Sequence, residues 1–120
     1  MRLILSALLM IFIAAPASSQ TSKSMPSTML NPVETEYVCM VNDTVFDNPQ
    51  IPVEVNGKTY YGCCMGCVST LQNDTAIRHA IDPVSNNQVD KATATIGAAP
   101  DRTVKYFENL ENLNSYNTQQ

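Results

Sequence analysis

Histidine occurs once in this 120-residue chain, as His79. One imidazole leaves little material for general acid–base chemistry near neutral pH. There is no Ser-His-Asp set, no glycine-rich phosphate loop and no His-Glu-x-x-His helix. The carboxylates Asp43, Asp74, Asp82 and Glu108 have no pairing in their spacing, and Asp74 and Asp82 read as solvated cap and turn residues. The expectation is a protein that is not an enzyme. Positive charge is also scarce: seven Lys and Arg stand against eleven Asp and Glu, a formal net charge of −4, and the basic residues form no cluster. A nucleic-acid backbone needs such a cluster, so nucleic acid is not an expected partner.

No cysteine precedes Cys39, which excludes a lipobox for lipid attachment near the start. What stands there is Arg2, then Leu3-Ile4-Leu5 and an apolar run over 7–15, followed by small residues at Ala15-Pro16-Ala17 and Ala17-Ser18-Ser19. This is the pattern of a cleavable export signal, and it is short for a membrane span. The expected organisation is a signal peptide at 1–19, a disordered linker at 20–32, one domain at 33–116 and a polar tail at 117–120, in a periplasmic or secreted protein with no membrane span once mature. Loss of 1–19 removes Arg2, leaving six basic against eleven acidic residues. A domain of this size has a thin hydrophobic core, to which a metal or disulfide commonly adds stability.

Within the domain, Ile51-Pro52-Val53-Glu54-Val55 alternates before Asn56-Gly57, and Lys58-Thr59-Tyr60-Tyr61 follows. That predicts a hairpin with a type I′ turn, Pro52 marking an edge or a strand start. A short helix is expected from Gly66 through Val68 and Leu71. A second, capped at Asn73-Asp74-Thr75, is expected over 75–81 and ended by Pro83. A turn at 83–87, strands at 91–96 and 103–107, and a C-terminal helix at 108–116 complete a small single-domain α+β fold of hairpins and short helices.

Four cysteines carry the chemistry: Cys39, Cys63, Cys64 and Cys67. A shared ion requires sulfurs about 3.5–4 Å apart, given metal–sulfur bonds of about 2.3 Å. Cys63 and Cys67, four apart at a strand-to-helix turn, can meet this, and Cys39 can be delivered from an earlier strand. Adjacent side chains diverge, so Cys63 and Cys64 do not both point at one centre. The expected metal ligands are therefore Cys39, Cys63 and Cys67, with Cys64 in reserve. Thiolates suit copper(I) and zinc(II), and the thioethers of Met40 and Met65 beside the cysteines incline the choice towards copper. His79, placed on the 75–81 helix, is a further candidate ligand, read first as a surface or packed residue.

Other readings of the same cysteines stay open. Four in an oxidising compartment also read as two disulfides, or as a structural zinc site in a small partner-binding domain. Cys64-Met65-Gly66-Cys67 is a Cys-x-x-Cys at a strand-to-helix turn, as in thiol oxidoreductases, and Val68 after Cys67 excludes covalent c-type haem.

The segment Cys39-Met40-Val41-Asn42-Asp43, then Gly57-Lys58-Thr59-Tyr60-Tyr61-Gly62-Cys63-Cys64-Met65-Gly66-Cys67 with Leu71 following, resembles the TRASH and YHS group of small metal-binding domains. The resemblance spans roughly 33–83. It implies a treble-clef-like metal knuckle, cysteine ligands at Cys39, Cys63 and Cys67, and a role in heavy-metal sensing, trafficking or resistance, copper above all. Further on, Asp82-Pro83-Val84, Val89-Asp90-Lys91-Ala92 and Tyr106-Phe107-Glu108-Asn109 are similar to the accessory copper proteins of nitrous oxide reductase. That likeness implies an exported copper carrier with a metal-donating or metal-receiving protein as partner. Neither resemblance transfers a catalytic residue.

Overall fold

The Asn56-Gly57 turn takes the left-handed backbone at both positions, φ +51° and +77°, as a type I′ hairpin requires. The computed structural model that shows this describes residues 13–16 and 29–120. The expected signal peptide at 1–19 and linker at 20–32 lie outside the described residues, apart from 13–16 and 29–32. Among the described residues no helix is long and apolar enough to cross a membrane.

The elements in chain order are β1 (Asn31–Val33), a 3-10 turn (Thr35–Tyr37), β2 (Val38–Cys39), β3 (Thr44–Val45), β4 (Ile51–Val55), β5 (Lys58–Gly62) and α1 (Met65–Asn73). A second 3-10 turn (Ala76–Arg78) leads to β6 (His79–Ile81), β7 (Gln88–Asp90), β8 (Thr95–Ala98), β9 (Val104–Phe107) and α2 (Leu110–Thr118). Among the described residues every strand pairing is antiparallel: β1-β8-β9 form a three-stranded sheet, and β2-β3, β4-β5 and β6-β7 are two-stranded. The fold is the small α+β arrangement of hairpins and short helices that the sequence predicts. A knuckle, a hairpin and a helix stand together in treble-clef-like fashion.

In β4 only Val53 is buried, so the alternating pattern has its inward member there, opposite the buried Tyr60 of β5. Pro52 lies in a two-stranded pair, where its missing N–H costs no ladder bond on the open side. Helix α1 turns Cys67, Val68 and Leu71 inwards, and α2 does the same with Leu113. The main core gathers Val38, Met40, Tyr60, Leu71, Ile96 and Tyr106. A smaller cluster of Leu30, Phe107 and Leu113 fixes α2, with Tyr116 edge-on to Phe107 at 5.7 Å. Leu30 is 3% exposed, and its backbone exchanges hydrogen bonds of 2.8 Å with the Asn117 side chain. The packed region therefore begins ahead of Val33 and reaches past Tyr116.

Three local expectations are corrected. Residues 75–81 are not a helix: one 3-10 turn ends at Arg78, and His79–Ile81 pairs with Gln88–Asp90. Asp74 caps that turn by accepting from the Ala76 amide at 3.0 Å, while Arg78 folds back to donate to the Leu71 carbonyl at 2.7 Å and so closes α1. A nucleus this short does not propagate towards Pro83, which disfavours helical backbone at the residue before it. The strand expected at 91–96 begins only at Thr95, because Asp90 captures the Ala92 amide at 2.9 Å and the Thr93 and Ala94 amides bond back to its carbonyl. Asp82, read as a solvated turn residue, is 0% exposed.

Asp90 also joins distant elements. Its carboxylate accepts from Tyr60 Oη at 2.8 Å and pairs with Lys58 at 2.7 Å, fastening the β4-β5 hairpin to β7. Burial, with the Asp90 carboxylate beside it, pushes the Tyr60 hydroxyl up to about 12.

Candidate metal centre

Two backbone features bring the cysteines together. The Met40 amide donates to the Tyr61 carbonyl at 2.9 Å, laying the end of β2 against the end of β5, so Cys39 meets the segment that carries Cys63. Gly62 then lets α1 approach: a Cβ there would stand 2.9 Å from Cys67 Cβ and 3.3 Å from the helix backbone. Alanine at this position must push the helix start away from the strand. Gly62→Ala is therefore expected to weaken metal binding about 10- to 100-fold while the chain stays folded. Metal competition alongside circular dichroism checks it.

The Sγ atoms of Cys39, Cys63 and Cys67 all lie within 4.8 Å of one another, a group that could hold a metal ion. Cys67 is the apex: its sulfur is 3.9 Å from Cys39 Sγ and 3.6 Å from Cys63 Sγ. Bonds of about 2.3 Å set sulfur–sulfur edges near 3.8 Å in a tetrahedron and near 4.0 Å in a trigonal plane, so the two spacings need little adjustment for either geometry. They also lie well beyond the roughly 2.05 Å of a disulfide, and all four cysteines are free thiols. Cys39 and Cys67 are buried and Cys63 is half-buried, so the group opens to solvent on the Cys63 side.

Cys64 stands outside the trio, exposed at the start of α1, with its sulfur 3.4 Å from Cys67 Sγ. Met40 is fully buried in the main core, which makes it packing, and Met65 is 70% exposed on the first turn of α1. His79 is on β6, its Nδ1 2.9 Å from the Thr75 carbonyl, and does not belong to the cysteine group.

The thiols do not titrate alike. Burial raises Cys39, but the backbone N–H groups of Asn42 and Val41 outweigh it and hold the thiol below its ordinary 9.0. Cys63 is raised by the neighbouring Cys39 and by burial. Cys67 is pushed up to about 12 by burial and by the three sulfurs around it. Cys64 makes no capping hydrogen bond, yet the Cys67 backbone N–H, first among its neighbours, lowers it. Within the trio, burial and the neighbouring sulfurs thus oppose ionisation of Cys63 and Cys67. A bound cation would offset that opposition and favour the thiolate form of both.

Sequence reasoning missed the surroundings. Asn42 Nδ2 donates to Cys63 Sγ at 3.3 Å, a contact that orients the ligand. Behind the knuckle, Lys91 is 3% exposed and donates to the Met40 carbonyl at 2.7 Å and to Asp43 Oδ1 at 2.8 Å. Its ammonium lies 5.0 Å from the Tyr106 ring centre, and Tyr106 donates to the same Asp43 oxygen at 2.8 Å. Burial, with the Asp43 charge added, raises the Tyr106 hydroxyl far above its ordinary value. In the sequence, Asn42-Asp43 and Lys91 stand only within the segments that carry the two resemblances, and nothing local ties Lys91 to a residue so far ahead of it.

Comparison with protein-family models, curated proteins and solved structures finds no match to the chain. The candidate metal centre therefore rests on its geometry alone.

Proposed function

We propose that this chain is an exported heavy-metal-binding protein, not an enzyme, that holds copper(I) or zinc(II) through Cys39, Cys63 and Cys67. Its role is trafficking, buffering or resistance, and a metal-donating or metal-receiving protein is its partner. The observation that carries this reading is the convergence of three sulfurs, from β2 and from either side of the β5–α1 turn, at ligation spacing. The soft donor set supports copper(I) or zinc(II) over hard cations, and the half-open Cys63 side supports exchange over permanent enclosure. The resemblance to TRASH and YHS domains supports the same ligands. The N-terminal pattern of Arg2 and the apolar run supports export.

Anaerobic purification, elemental analysis and native mass spectrometry test it. Copper or zinc should accompany the wild-type chain, be lost from Cys39→Ser, Cys63→Ser and Cys67→Ser, and stay with Cys64→Ser. A chain without metal whose mass is short by the hydrogens of one or two disulfides would replace this reading with a small disulfide-stabilised domain.

A further inference from the structure

The trio accounts for holding an ion, but it does not use the fourth sulfur. Cys64 is exposed, and its Sγ lies 3.4 Å from Cys67 Sγ, nearer than either partner of Cys67 within the trio. Cys67 therefore belongs to two sets at once, an inner one with Cys39 and Cys63 and an outer one with Cys64. Exposure increases in order from Cys39, fully buried, through Cys67 and half-buried Cys63 to exposed Cys64. The two sets are distinct: Cys64 is the extended residue just before α1, with φ −155° and ψ 170°, and it stays outside the group that Cys39, Cys63 and Cys67 form.

Resting on the metal-carrier reading above, we propose that Cys64 is the exchange ligand of the centre, the thiolate through which copper(I) passes between the buried trio and a partner's soft ligands. The ion slides about Cys67 and never leaves thiolate coordination. As the Cys64 Sγ–Cu bond forms, the Cys64 thiol releases its proton to water. The bond to Cys39 breaks, and Cys39 takes up a proton. Copper stays copper(I) throughout, so no oxidant or reductant takes part. Cys63 lets go last among the inner pair and takes up a proton from water as its bond to copper breaks, its sulfur still accepting the Asn42 amide hydrogen at 3.3 Å. The ion is then held by Cys67 and Cys64 at the surface, where an incoming thiolate or thioether can displace Cys67 in turn.

The full chain, loaded anaerobically with one equivalent of copper(I), separates transfer from retention. Wild type, Cys64→Ser and Met65→Ala are compared for metal held at equilibrium and for the rate of transfer to excess bicinchoninate. Cys64→Ser should keep the ion and release it about tenfold more slowly or worse, while Met65→Ala matches wild type. An unchanged rate in Cys64→Ser overturns the proposal. So does loss of the ion from that variant at equilibrium, which would make Cys64 a resident ligand, or slowing confined to Met65→Ala, which would assign the exchange to the thioether. A wild-type chain that retains no copper fails at loading, and then the carrier reading itself has fallen.

Discussion

Lys91→Met is expected to destabilise the chain by about 2–3 kcal/mol and to loosen the metal centre with it. The substitution keeps the stem of the side chain and removes the ammonium that the Met40 carbonyl and Asp43 share. Met40 is fully buried, so its carbonyl loses its donor where water does not readily replace it, a cost of about 1–3 kcal/mol. Asp43 is different: its side chain is 46% exposed and can turn to solvent, which reduces the ion-pair share of the loss. The melting temperature should fall by about 10–20 °C for a domain of this size. Affinity for a metal ion should fall too, because Met40 and Asp43 flank the knuckle that presents Cys39. Asp43→Asn removes the charge but keeps an acceptor for Tyr106, and should cost about 1 kcal/mol or less. Equal small effects in the two variants would show that Lys91 does not hold the knuckle in place.

Asp82→Ala should cost more, about 3–4 kcal/mol, read as a lower urea midpoint with an unchanged slope. Its carboxylate is fully buried and accepts from the amides of Val84, Ser85 and Glu108 and from Asn112 Nδ2, at 2.7 to 3.1 Å. It thereby fastens the 82–87 turn, the end of β9 and the first turn of α2 to one another. Burial raises this carboxyl, but the hydrogen bonds, led by that from Asn112, outweigh it and hold the pKa below the ordinary 3.8. Asp90 is likewise depressed: burial raises it, and Lys58, the Ala92 amide and Tyr60 prevail. A carboxyl depressed in the folded state contributes stability that is complete above its unfolded pKa and is lost as pH falls through the folded one. Acid unfolding should therefore set in below about pH 4, and Asp82→Asn should flatten the dependence of stability on pH from there downwards. An unaltered slope in Asp82→Asn would remove Asp82 as an acid-sensitive support.

The features legible in the sequence are those fixed by near neighbours. Asn56-Gly57 encodes its own turn, the alternation around Val53 encodes a half-buried strand, and the Cys63–Cys67 spacing encodes two sulfurs across one turn. Asn109 illustrates the same point: it caps α2 by accepting from the Asn112 amide at 2.8 Å, and the C-terminal helix was expected within two residues of that start. What was missed depends on partners far along the chain. His79–Ile81 has weak preferences of its own and becomes a strand only because Gln88–Asp90 returns beside it. Lys91 looks like a surface residue until the fold places Met40 and Asp43 within its reach. Asp82 looks like an ordinary turn acid until α2 lies over it. In the candidate metal centre, the convergence of Cys39 with the later pair is an expectation of the cysteine spacing and of the resemblance to TRASH and YHS domains. The asymmetry, with Cys67 as apex and Cys64 as an outer neighbour, follows from Gly62 and the approach of α1, which no local pattern encodes.

X-ray absorption at the metal edge of the anaerobically loaded chain reaches the central claim most directly, because it counts the sulfurs bound to the ion. The expected spectrum has three sulfur scatterers at about 2.3 Å and changes on Cys39→Ser but not on Cys64→Ser. A first shell of nitrogen and oxygen, or one indifferent to Cys39, would contradict a centre built by Cys39, Cys63 and Cys67.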